Sequence, residues 1–227
     1  MKIILTGLLA CALQFAHAQF GGKLTYQVIN SSNTLTMIYY QNGNNARVDA
    51  WSVSKSDTTN VNHQDTLLFD IAGRKTTHLV YKTGMAVIMP NTAAMTLQAI
   101  AASGLQPKIT VQTIGAETVN GYACTHYVII DQTYRYTSKR DVWVTTSLGT
   151  PGIQVMSGYL YYTPDYPQEV QLIAAGGAGV VVKSVVSVPG LTTTMNLVAV
   201  DPKTPPAALF NVPSYYVVSD RSNMTLP

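Results

Sequence analysis

Residues 115–130 read GAETVNGYACTHYVII. Asn120-Gly121 stands between two runs of strand-forming residues, and both residue types accept the positive φ of a two-residue hairpin turn. Lys108–Val119 and Tyr122–Asp131 are therefore predicted to be paired antiparallel strands. The stretch also places Cys124 two positions from His126, in a chain with two cysteines and four histidines. On a strand, residues i and i+2 share a face, roughly 7 Å apart, with parallel side chains. That is too far for a thiol and its base, which must lie within hydrogen-bond reach. A zinc site would need about two more ligands, and His63 and His78 lie in separate segments without ligand spacing. Cys124 is read as a buried free thiol.

Outward from this hairpin the dominant pattern is alternation, the mark of half-buried strands. Lys23–Val28, Thr34–Tyr40 and Ala46–Trp51 alternate, with Gln41-Asn42-Gly43-Asn44 turning the second into the third. Thr66–Ile71, Thr76–Tyr81 and Met85–Met89 form a meander turned at Gly73-Arg74 and Thr83-Gly84, and Pro90 ends it. Residues 91–103 change character. Asn91 or Thr92 can cap a helix, the following alanines, Met95, Leu97 and Ile100 favour one, and Gly104 ends it. This helix is apolar over most of its surface, so it must lie against apolar surface. Asp141–Thr145, Glu169–Ile173, Val180–Val188, Leu191–Val200 and Phe210–Val218 read as further strands. Ile153–Tyr162 is ambiguous, Pro164–Pro167 is a break and Ser219–Pro227 a loose tail. The count is about eleven strands and one or two short helices, with no βαβ rhythm, which excludes a Rossmann-type fold.

The first 18 residues, MKIILTGLLACALQFAHA, have one charge, an apolar core and a small-x-small end at Ala16-His17-Ala18. That layout predicts a secretory signal peptide cleaved near Ala18. Leu8-Leu9-Ala10-Cys11 superficially resembles a lipidation site, but the apolar run continues past Cys11, which is read as part of the leader's core. Without Lys2, 13 basic side chains remain of the 14, against 11 acidic. Near-balance argues against a nucleic-acid surface or a polybasic membrane patch. Cys124 is then the only cysteine, so no internal disulfide is expected. Gln19–Pro227 suits one domain.

Other candidate chemistry is thin. Ala174–Gly179 is glycine-rich but lacks the Lys-Ser/Thr of a phosphate loop, and reads as a hairpin loop. The carboxylates are scattered and no G-x-S-x-G elbow exists. Tyr134, Tyr136, Tyr159, Tyr161 and Tyr162 could stack bases, which export and near-neutral charge disfavour. Met37, Met85, Met89, Met95, Met156 and Met195 are adaptable side chains suited to filling a core or lining an irregular apolar cavity.

The order of these pieces resembles an exported bacterial family defined only as a domain of unknown function. Its G-x-E-x-x-x-G-Y-x-C-x-x-Y pattern falls on Gly115, Glu117, Gly121, Tyr122, Cys124 and Tyr127. A Trp-bearing strand follows at Trp143, then F-x-V-P-x-x-Y at Phe210, Val212, Pro213 and Tyr216. The early meander also looks like that of the LolA/LolB lipoprotein carriers. The Gly/Tyr-rich stretch after Trp143 departs from the pattern of a second lid helix. The resemblance implies a mainly β, open antiparallel half-barrel with helices over its concave face, no catalytic residue, no metal and no cofactor. Its expected ligand is a lipid or acyl chain beneath the 91–103 helix, with Met85, Met89, Met95, Ile100 and Trp143 as candidate lining. The alternative is a structural or interaction module that binds an envelope protein.

Overall fold

A computed structural model describes residues 19–59, 61–63, 66–90, 108–132, 137–153, 155 and 167–223. The leader with Cys11, the 91–103 helix with Met95 and Ile100, Tyr134, Tyr136, Met156, Tyr159, Tyr161, Tyr162, the Pro164 break and the last four residues lie outside them.

The chain is mainly β, as its alternation predicts. Strands β1 (Gly22–Ile29), β2 (Asn33–Asn42) and β3 (Asn45–Ser54) are followed by a short β4 (Val61–His63). Next come β5 (Thr66–Asp70), β6 (Lys75–Val80) and β7 (Met85–Pro90). The central hairpin is β8 (Ile109–Val119) and β9 (Tyr122–Asp131), and β10 (Ser138–Thr145) follows. Helix α1 (Pro167–Ala174) precedes β11 (Val180–Val188) and β12 (Leu191–Asp201), and β13 (Val217–Asp220) closes the chain. The thirteen strands among the described residues form one sheet, ordered β13-β7-β6-β5-β3-β2-β1-β12-β11-β10-β9-β8, with β4 beside β3. The ends of this order do not meet, so the sheet is open. No helix among the described residues is long and apolar enough to cross a membrane.

The turns are those that the sequence demands. Asn120 and Gly121 have φ of 51° and 82°, the type I′ signature. Three bulges interrupt the ladder: Val198 on β12 beside Thr25/Tyr26, Val182 on β11 beside Trp143/Val144, and Ile114 on β8. Each adds twist, and all three fall in the β12-to-β8 half. In a flat sheet β9 and β12 would stand roughly 14 Å apart. Instead the Asn120 amide donates to Leu197 O at 3.3 Å. The sheet is coiled into a half-barrel.

Four expectations are corrected. Among the described residues the strands number thirteen against about eleven expected: Ser52–Asn62, read as a loop or weak hairpin, extends β3 and supplies β4, while Glu169–Ile173 drops out. The pairing is not antiparallel throughout, since β13 runs parallel to β7. The chain leaves β12, crosses the sheet through a 3-10 turn at Ala207–Phe210 and lays Tyr216 over Leu68, Leu79 and Ala86. It thus reaches β7 in the parallel sense. Glu169–Ile173, read as a strand, is helical. Gln168, Glu169 and Leu172 are buried while Val170 and Ile173 are exposed, a helical stripe too short for its period to be separated from alternation. Pro167 suits the first helical position. Gly176 (φ 89°) ends α1, with the Gly177 amide donating to Leu172 O and the Gly176 amide to Ile173 O, both at 2.9 Å. The glycine-rich stretch is therefore a helix cap, not a hairpin loop.

Candidate functional site

Cross-strand partners trace one face across most of the sheet. Tyr127 pairs with Val142, Val142 with Ser184, Ser184 with Met195 and Met195 with Val28. The same face continues through Met37, Ala50 and Val48 to Leu67, then to His78 and Val87. Because side chains alternate, Leu24, Tyr26, Tyr39, Phe69, Ile129 and Val144 join it. Apart from the half-buried His78 and Val87 these residues are almost fully buried, and the apolar ones among them form the main core.

Helix α1 lies on this face. Leu172 is its fully buried apolar anchor, and the Gln168 amide donates to the buried Asp131 carboxylate on β9. At the other end, the segment after β10 crosses to β1 and β2. The Phe20 amide donates to Thr150 O, and the Gly152 amide to the Gln41 side-chain oxygen, both at 2.9 Å. Gln41 is fully buried, accepts the Tyr39 hydroxyl and donates to Gly43 O at 3.1 Å. Burial pushes the Tyr39 phenol far above its usual range. Sequence reading placed Gln41 in a turn and missed this lock, because its partner Gly152 is 111 residues away.

Toward β13 the face opens. Met89 pairs with Thr76, Met85 with Val80, and Val217 with Met85, which keeps all three methionine-edge positions on the core face. Met85 and Val87 are half-buried, Met89 is 40% exposed and Val217 is 68% exposed. From Phe69 and Leu67 this face crosses β6 at Thr76 and His78 and becomes apolar again at Val87, Met89, Met85 and Val217, at the open edge. Met85 and Met89, two of the expected lining residues, stand on this run.

Trp143 does not. It stands on the opposite face from Val142 and Val144, in register with His126 and Lys183. Its indole N–H donates to Glu117 Oε2 at 2.6 Å, since a half-buried indole needs an acceptor. His126 stacks on the indole at 4.3 Å, and Lys183 Nζ lies 4.8 Å from the ring centroid. His126 Nε2 is 3.0 Å from Asp141 Oδ1, and Lys139 Nζ is 3.0 Å from Asp141 Oδ2. Glu117, His126 and Trp143 thus fasten β8, β9 and β10 together. This gives the glutamate of the hairpin pattern a structural partner.

Cys124 is buried, and its thiol donates to Tyr122 O at 3.4 Å, while the His126 ring is engaged by Asp141 and Trp143. Burial pushes the thiol pKa up, and the Glu117 charge adds to that. A raised pKa keeps the neutral thiol in the folded state. Its contribution to stability is full below the ordinary thiol range, near pH 8.5, and is lost as pH rises through the folded value. A thiol reagent at neutral pH should label the folded protein at least ~10-fold more slowly than the denatured chain. Equal rates would show an exposed, activated cysteine. Among the described residues no three His, Cys, Asp or Glu side chains are grouped to hold a metal ion.

Residues 20–216 match the family described as a domain of unknown function, DUF4412. The chain belongs to this family. The match covers the whole described sheet up to Tyr216, including the β8–β9 hairpin and the closing F-x-V-P-x-x-Y segment. No curated protein matches the sequence. Among solved structures, the lipoprotein LppX of Mycobacterium tuberculosis is similar at a TM-score of 0.36 and 7% identity, over 81% of this chain and 88% of that one. LprF from Mycobacterium bovis is similar at 0.33 and 11% identity, over 86% and 90%. An outer membrane lipoprotein-sorting protein domain from Vibrio parahaemolyticus is similar at 0.29 and 11% identity, over 84% and 89%. Likeness of this degree says nothing about what this DUF4412 chain binds.

Proposed function

We propose that the protein is a non-enzymatic, exported component of the cell envelope that binds an apolar ligand, a lipid or lipoprotein acyl chain, on the core face of its half-barrel. The observation that carries this reading is that the core face extends past the packed core to an open edge. Deep core residues such as Phe69 and Leu67 lead, across Thr76 and His78 on β6, to Val87, Met89, Met85 and Val217 at an edge the sheet leaves open. A closed barrel would seal such a surface. An open one lets a flexible chain enter from the side and exchange water for apolar contact, worth about 0.8 kcal/mol per buried CH₂.

Two polar atoms support the reading. Among the described residues Ser184 Oγ and Thr76 Oγ1, buried on this face, find no hydrogen-bond partner. Buried hydroxyls normally find one. The ester or carboxyl oxygen of a lipid would supply it. Met85 and Met89 serve as adaptable lining, and Met95 and Ile100 would extend it from the segment that follows β7. Secretion through a leader ending near Ala18 would place the protein in the periplasm or at the periplasmic face of the outer membrane.

A solvatochromic apolar probe, N-phenyl-1-naphthylamine, tests the reading. Its fluorescence should rise saturably with delipidated protein, and a long-chain fatty acid should displace it. Met89→Asp, a change at an exposed position, should weaken binding on the order of tenfold, since a charge there must be desolvated. A linear, non-displaceable signal would contradict the proposal.

A further inference from the structure

Exposed large apolar side chains are not scattered evenly over the described surface. Ten are exposed, and five of them, Tyr81, Met89, Tyr215, Val217 and Val218, belong to β7, the turn before it, or the segment leading into β13. The densest part is a corner. The Val217 amide donates to Gly84 O at 2.8 Å, which lays the Tyr81–Gly84 turn beside the start of β13. Tyr81 meets Tyr216 edge-on at 6.5 Å, and Tyr215 leans on Tyr216 at 4.9 Å. Tyr216 is buried beneath them, while Tyr81, Tyr215 and Val217 are 47%, 75% and 68% exposed.

The exposed charge at the tip of the turn is a lysine; behind it the Tyr81 hydroxyl bonds Thr66, which donates to an Asp49 carboxylate paired with Arg47, and Asp220 and Arg221 stand at the far end of β13. Across residues 80–86 and 212–218 the only charged side chain is Lys82, which is exposed at the tip of the turn. Tyr215, 75% exposed, has the apolar ring and wet hydroxyl suited to the level of lipid headgroups, whereas the Tyr81 hydroxyl is bonded to the buried Thr66 Oγ1 at 2.8 Å. A lysine at that level meets anionic phosphate. The corner is the end of a hairpin with apolar side chains on both faces of the sheet: Val217 shares the core face with Met85, and Val218 shares the other with Ala86. A protein partner would need a hollow shaped to receive it. A bilayer interface deforms around such a tip.

We infer that this corner docks the protein peripherally on an anionic lipid bilayer, with Tyr215 and Val217 entering the headgroup region and Lys82 facing phosphate. Extending the proposed lipid-binding function, on which this clause rests, docking brings the open end of the core face, at Met85 and Val217, against the membrane. An acyl chain could then pass between them without crossing water.

Vesicle flotation tests the inference with protein purified after export. The vesicles are phosphatidylethanolamine with phosphatidylglycerol, and phosphatidylcholine alone. The parent should float with the first far more than with the second, and added salt should release it. The double variant Tyr215→Ser/Val217→Ser should lower binding on the order of tenfold, and Lys82→Gln should lower it on the anionic vesicles alone. Val198→Ser, which removes a side chain 56% exposed elsewhere on β12, should change nothing. Thermal midpoints of all variants exclude unfolding as the cause.

A parent that fails to float, a double variant that floats like the parent, or equal binding to both vesicles would overturn the inference. A Tyr215-dependent dimer or protein complex with no flotation would overturn it too. Native mass spectrometry of the same preparations separates the two ideas. Flotation by a chain that never carries lipid would sink the cargo reading and leave docking standing, and a loaded chain that does not float would do the reverse.

Discussion

Tyr39→Ala is expected to lower the unfolding free energy by about 4–5 kcal/mol, the upper part of the range for removing a buried aromatic ring. Tyr39 is fully buried on the core face and packs against Phe20 with ring centroids 6.3 Å apart. Its loss leaves a cavity between β1, β2 and the 150–153 crossing. It also removes one of two donors from the buried Gln41 oxygen, which the Gly152 amide alone would then satisfy. For a chain of this size the midpoint of thermal unfolding should fall by roughly 8–20 °C. Tyr39→Phe separates ring from hydroxyl and should cost only about 1 kcal/mol. It should also alter the alkaline limb. The phenol's raised pKa means its contribution is full below about pH 10 and is lost as pH rises through the folded value. The parent should therefore lose stability more steeply above pH 10 than the Phe variant. Burial raises the neighbouring Tyr40 as well, so the difference between the two proteins, not either curve alone, reports on Tyr39. Parallel curves would contradict the buried-phenol account.

Gly22→Ala is the second large effect, at about 3 kcal/mol or more, because two independent costs fall on one residue. Gly22 has a φ of 140°, which L residues rarely adopt. A Cβ there would also stand 2.4 Å from Asp201 O and 3.1 Å from Pro202 Cα. Both neighbours are backbone and cannot swing away. The position is where β1 enters the sheet beside Gln41 of β2, next to the Lys23–Asp201 pair with β12, so strain there disturbs both neighbours. Gly21→Ala is the control, since nothing lies within 4 Å of its Cβ position. Urea midpoints should separate the two variants clearly. Equal midpoints would mean that the β1 entry relaxes freely.

Strand content and hairpins were readable from sequence because their causes are local. Asn120-Gly121 and Gly43-Asn44 take the backbone that their side chains permit, and alternation names the buried face once strands are assigned. What could not be read depends on partners far along the chain. The parallel docking of β13 follows from Tyr216 finding Leu68, Leu79 and Ala86. Gln41 gives no sign in sequence of being a buried lock. Helix α1 is two turns long; Gln168 and Leu172 would share a face in a strand as well, and only buried Glu169 beside exposed Val170 marks the helix. Trp143 was expected in the lining because it is large and apolar. Period-two alternation from Val142 puts it on the other face, and its register against His126 could have been counted from the Asn120-Gly121 turn through Asp131 only with the length of the 132–137 connection known. The strand that carries Met85 and Met89 is legible because a clean turn at Thr83-Gly84 sets its phase. The bulges at Val198, Val182 and Ile114 leave no compositional trace, yet they lie in the half of the sheet that coils.

The central claim is that the core face holds a lipid. Native mass spectrometry of protein exported to the envelope and purified without detergent tests it most directly. The account predicts a population carrying a single lipid-sized adduct per chain, released as the same species into organic solvent, and diminished in Met89→Asp. A bare chain mass in every preparation, with no lipid in the extract, would contradict it.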